Sequence, residues 1–157
     1  MIGSAVINRI KALLKAGEAG APRVGSDVDE RQVAAAALLV EAARMDDDFD
    51  EAERRKIVEL VTDRFELSGE EGETLLQIAE SRVEDSVQTF GFTRVVKDSF
   101  SHEERIELME MLWQVVYVDG KLHDLEASLM RRIAGLVFVT DRESAAARKR
   151  ALKRLKA

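Results

Sequence analysis

Two segments of this chain carry aspartate and glutamate at a spacing that suits cation chemistry. In "ARMDDDFDEAE" Asp46 stands seven residues before Glu53, and in "VYVDGKLHDLEASLM" Asp119 stands seven residues before Glu126. Carboxylate oxygens are hard ligands, so a set built from them favours calcium, magnesium or manganese over copper or zinc. The first segment is the more heavily charged, with Asp47, Asp48, Asp50 and Glu51 added to the pair.

The two segments belong to a longer internal repeat. "ALLVEAARMDDDFDEAERRKIVELVTDRF" lies over "EMLWQVVYVDGKLHDLEASLMRRIAGLVF", with Asp46 on Asp119, Phe49 on Leu122, Glu53 on Glu126, Ile57 on Met130 and Phe65 on Phe138. Each unit reads as an apolar helix ending in an aspartate, a short turn with one inward apolar residue, and a second helix with a glutamate in its first turn. Packed about a pseudo-twofold, two such hairpins would bring Asp46, Glu53, Asp119 and Glu126 together.

Ordinary helix chemistry offers a second account of the same residues. Gly120 suits a left-handed turn after Asp119, Asp50 suits an N-cap, and Glu53 and Glu126 complete first turns. That account leaves the repeated aspartate as a turn-stabilising residue. Asp46, Asp48 and Asp50 also imitate the start of an EF-hand loop, but Glu51 stands where that loop needs glycine and Ile57 where it needs a bidentate glutamate. His123 and His102 read as turn and helix-start residues, with no second histidine at a ligand spacing.

The composition narrows the remaining chemistry. The 157 residues contain no cysteine, which excludes thiol nucleophiles, disulfides and thiolate metal sites. No phosphate loop, nucleophile elbow or zinc-protease helix is present, so no catalytic residue and no enzyme activity is expected. A net charge of −6 argues against nucleic acid as a partner, although the C-terminal "RKRALKRLK" is basic. That segment, with Arg142, suits a solvated helix face, and docking on anionic lipid or an acidic protein is its alternative use. The apolar runs are too short to span a bilayer, and the start lacks a secretory pattern, which together predict a cytoplasmic chain without stable membrane insertion.

The elements that must position the acids are helices. Apolar residues recur at helical spacing, and the single proline, Pro22, falls in "AGEAGAPRVGSD". The pattern predicts an N-terminal amphipathic helix within 1–16, a linker over 17–28 and an all-α domain over 29–157. Within it helices are expected near 29–45, 51–65, 69–82, 86–98, 102–118, 124–138 and 141–155. Capping boxes mark four starts: Asp50 with Glu53, Ser68 with Glu71, Ser101 with Glu104 and Thr140 with Glu143. "QVAAAALLVEAARM" and "IELMEMLWQVVYV" are apolar nearly all round, as helices at the centre of a bundle are. Trp113 and Tyr117, four apart on the second of them, read as core packing.

With its two acidic motifs, each following an apolar helix, the chain resembles the TerB-like family, named after tellurite resistance and related to a domain of some DnaJ-like membrane co-chaperones. The resemblance covers about residues 30–140. The family is helical, in keeping with the single compact bundle of about seven or eight helices around a duplicated hairpin that the periodicity and the repeat predict. The resemblance also implies a metal-binding site at the matching acidic positions Asp46, Glu53, Asp119 and Glu126. The alternative is a metal-free interaction module whose acidic corner receives a basic protein partner. A metal-dependent hydrolase is a third class, which would need an open coordination position and a cleft.

Overall fold

A computed structural model describes residues 27–46, 49–85, 90–118 and 124–156. Seven α-helices follow one another in these segments: α1 Asp27–Ala43, α2 Glu51–Phe65, α3 Gly69–Asp85, α4 Phe90–Ser99, α5 His102–Val116, α6 Asp124–Leu136 and α7 Asp141–Lys156. A 3-10 turn, Arg44–Asp46, extends the end of α1. The described residues contain no strand, as the period of the apolar residues requires. The expected N-terminal helix lies outside the described residues. The expected linker does too, except for its last two positions, which are already helical in α1: the acid-rich start "DVDE" suits a helix N-terminus.

All four capping boxes form. Ser68, Ser101 and Thr140 each accept from the backbone N–H three residues on, at 3.1–3.2 Å, and donate their own N–H to the glutamate there at 2.8–2.9 Å. Asp50 does the same for α2, with its side chain accepting from Glu53 N–H at 2.9 Å. These bonds satisfy amides that a helix start otherwise leaves without partners, each contributing about 1 kcal/mol.

Among the described residues, two helices stop in a left-handed turn that is not made by glycine. At the end of α2, Glu66 adopts the left-handed conformation with φ 53, and Leu67 N–H returns to Thr62 O at 2.9 Å. After α6, Phe138 does so with φ 60, and Val139 N–H returns to Ala134 O at 2.8 Å. Both are the reversed-bond termination that usually employs glycine. It ends α6 at Leu136, two residues before the expected boundary. Likewise α5 ends at Val116, with Tyr117 as its C-cap.

α1 forms the centre. It packs against α2, α3, α4, α5 and α6, and every residue from Val33 to Val40 is buried. Four consecutive alanines, Ala34–Ala37, make this possible: they favour helix and let neighbours approach closely. α5 is the second buried helix, with Leu108, Met109, Leu112 and Val116 in the core, and it carries α7 on its outer side. Truncating one such buried leucine in a well-packed core costs about 2–5 kcal/mol.

Charged contacts fasten the ends. Arg31 on α1 holds both oxygens of Glu104 on α5, at 2.9 and 3.0 Å, and Arg64 on α2 reaches Glu104 at 3.4 Å and Glu107 at 2.7 Å. Among the described residues no helix is long and apolar enough to cross a membrane.

Candidate metal centre

The two hairpins meet where the first one turns. α6, the second helix of the second unit, packs against the 3-10 turn Arg44–Asp46 of the first unit, and also against α1 and α5. Asp46 therefore sits in a backbone turn that touches the helix carrying Glu126.

Glu53 and Glu126 occupy corresponding places, the third residue of α2 and the third residue of α6. Both are buried, Glu53 to 7% exposure and Glu126 to 1%. Neither carboxylate is without a partner. Burying an ionised carboxylate is expensive unless hydrogen bonds or a cation compensate it.

The capping account covers part of this arrangement. Asp50 caps α2, and Glu53 accepts the return bond from Asp50 N–H. That return bond is 3.5 Å long, whereas its counterparts at Glu71, Glu104 and Glu143 are 2.8–2.9 Å. A contact at 3.5 Å is weak. Capping thus holds the other three glutamates firmly and Glu53 only slackly.

Asp119, Gly120, Leu122 and His123 lie outside the described residues, as do the side chains of Asp46, Asp47 and Asp48. Phe49 packs against the core as an inward turn residue. Among the described residues, no group of three or more histidine, aspartate or glutamate side chains stands at ligating distance. His102 is engaged elsewhere: its Nε2 lies 2.6 Å from Glu143 Oε2, linking the starts of α5 and α7.

Sequence reasoning overlooked Glu41. It lies on α1, half-buried, with its carboxyl pushed up from the usual range by desolvation and pulled back less strongly by Arg44 and Arg132. The overlay of the repeats that pairs Asp46 with Asp119 also pairs Glu41 with Gln114, which is 5% exposed on α5. The available signal was a polar residue at the same place in each apolar run. Beside this corner opens a pocket of about 370 Å³ lined by Arg44, Phe49, Glu80 and Glu84.

The family model for tellurite resistance protein TerB matches residues 32–149. The chain belongs to the TerB family. The matched span runs from α1 into α7 and so contains both acidic motifs of this TerB-family chain. No curated protein and no solved structure matches it.

Proposed function

We propose that this TerB-family protein binds a divalent cation through its duplicated motifs, with Asp46 and Glu53 supplied by one hairpin and Asp119 and Glu126 by the other. The observation that carries the reading is the buried Glu53, whose capping bond is slack and whose counterpart Glu126 is buried at the same place in the second unit. The packing of α6 on the Arg44–Asp46 turn supports it by bringing elements of the two motifs side by side.

The donor set is all oxygen, so calcium, magnesium or manganese is the fitting ion. The role is one of binding rather than catalysis. Any part in tellurite or other stress works through the bound ion or a partner, because a chain without cysteine has no thiol with which to reduce an oxyanion.

Thermal unfolding of the chelator-stripped protein, with each ion in turn, tests this. A ligand at about 100 times its dissociation constant adds roughly 2.7 kcal/mol. The expected result is a rise of several degrees for one hard ion, lost in the Glu53→Gln, Glu126→Gln double variant. An absence of any shift, with all ions at millimolar excess, rejects the site and favours the metal-free module that docks a basic partner.

A further inference from the structure

The outward face of α7 carries more positive charge than the bundle uses. Helix α7 has seven basic and two acidic residues within a chain of net charge −6. Three of the seven are engaged with α5: Arg150 and Arg154 each reach Glu110 at 2.7 Å, and Arg148 donates to Tyr117 Oη at 2.8 Å. The other four, Arg142, Lys149, Lys153 and Lys156, are exposed, and no described carboxylate pairs with them.

At 3.6 residues per turn these four positions fall within an arc of about 60°, along about 21 Å of helix. The stripe lies opposite Ser144, Ala147 and Ala151, which are buried against the bundle. Large apolar anchors are missing from it: Ala145 and Ala146 share the outward side, while Leu152 and Leu155 pack toward the core. Such a face has nothing to insert into a bilayer, and the acidic remainder of the chain would oppose an anionic membrane or nucleic acid.

A matching acidic stripe exists on α3. Glu70, Glu73, Glu80 and Glu84 fall within an arc of about 80° and also span about 21 Å. Only Arg54 pairs with them in the described residues, at 2.6 Å from Glu73 and 3.1 Å from Glu80. Glu70 and Glu84, at the two ends, are exposed.

We propose that the protein self-associates head to tail, with the cationic stripe of α7 in one copy laid antiparallel on the acidic stripe of α3 in a second copy. In that register Arg142 faces Glu84, Lys153 faces Glu73, Lys156 faces Glu70, and Lys149 faces Gln77. The stripes agree in length, and three of the four cations meet a carboxylate in this register. They also lie on helices with different neighbours, α3 on α1 and α2 and α7 mainly on α5. A contact between two different patches is heterologous and builds chains of copies unless a ring closes. Being electrostatic and exposed, the contact is weak and screened by salt, with a Debye length of about 10 Å at 0.1 M and about 3 Å at 1 M. The proposal does not depend on the metal reading.

Sedimentation equilibrium of the full chain, at increasing concentration in low and high salt, is the test. The expected result is a weight-average mass that climbs above 17.5 kDa with concentration in low salt and returns to 17.5 kDa in about 1 M salt. The Lys149→Glu, Lys153→Glu, Lys156→Glu variant and the Glu70→Lys, Glu84→Lys variant should each stay monomeric while keeping wild-type helical circular dichroism. Mixed in equal amounts they should associate again, because each retains the stripe the other needs. A wild-type chain monomeric under all conditions overturns the proposal, whether or not it binds anionic vesicles. Variants that associate like wild type, or a mixture that stays monomeric, also overturn it.

Discussion

Trp113 donates its indole N–H to Ser144 Oγ at 3.2 Å, and this bond is buried between α5 and α7. It anchors a seam in which Tyr117 stacks on Trp113 with centroids 5.9 Å apart, and the Arg148 guanidinium lies over both rings. The two aromatic residues thus serve packing, and α7 is held by one specific bond as well as by area. Removing the hydroxyl would leave a buried donor without a partner, a loss of about 1–3 kcal/mol. Ser144→Ala should therefore lower the urea midpoint by that equivalent with an unchanged m value. An unchanged midpoint would mean that water reaches the indole and the seam is looser than its geometry.

At Gly72 α3 lies close against Thr62 and Val58 of α2. A Cβ built there would stand 2.3 Å from Thr62 Oγ1, and that hydroxyl is buried without a hydrogen-bond partner. Gly72→Ala ordinarily gains helix propensity of up to about 1 kcal/mol. Here overpacking, typically about 1–3 kcal/mol, outweighs it because a β-branched side chain has little freedom to turn away. The variant should be destabilised, and Thr62→Ala should restore most of the loss. Independent, additive effects in the double-mutant cycle would sink the idea that these two atoms collide.

The helical frame was legible because its signals are local. The spacing of apolar residues and the box of Asp50 with Glu53 place α2 at 51–65, where it is found, and the alanine run marks the central helix. The end of α2 at Phe65 was legible, but the left-handed conformation of Glu66 was not, and the stop of α6 before Phe138 was missed, since the left-handed position ordinarily selects glycine and nothing local replaces it. Phe138 is also 64% exposed, so burial gave no clue to it either. The Arg31–Glu104–Arg64 cluster joins three helices distant in sequence, and no local pattern encodes it. For the candidate site, duplication pointed to Glu53 and Glu126, both of which are buried. What the pattern could not separate was capping from binding, because both uses ask for a glutamate in the first turn. The 3.5 Å length of Glu53's return bond is something only geometry reveals.

Glu41 gives a pH-dependent consequence of the central helix. Burial raises its folded pKa above the unfolded value, with Arg44 and Arg132 offsetting part of the effect. A carboxyl raised in this way disfavours the folded state once it must ionise, so the penalty is absent at low pH and present at neutral pH. Glu41→Gln should raise the thermal midpoint of the chelated protein at pH 7, and the gain should fade as pH falls through the raised folded pKa and be gone below the ordinary value of 4.5. A gain that persists unchanged at pH 3 would point to propensity or packing instead of charge.

Glu143 has the opposite sign. The backbone N–H of Thr140 contributes most, followed by the hydrogen bond from His102, and together they lower its folded pKa to about 2 from an ordinary value of 4.5. A lowered carboxylate pKa adds stability that is fully present above the unfolded value and is lost as pH falls through the folded one. The window is therefore between about 4.5 and about 2. Wild-type thermal midpoints should fall across that interval, and those of Glu143→Gln should fall less steeply while starting lower at pH 6. Thr140→Ala removes the hydroxyl cap but keeps the backbone N–H that dominates the shift, so it should lower the midpoint at every pH with little change in slope. If Thr140→Ala and Glu143→Gln flatten the profile equally, the side-chain cap rather than the backbone amide governs the titration.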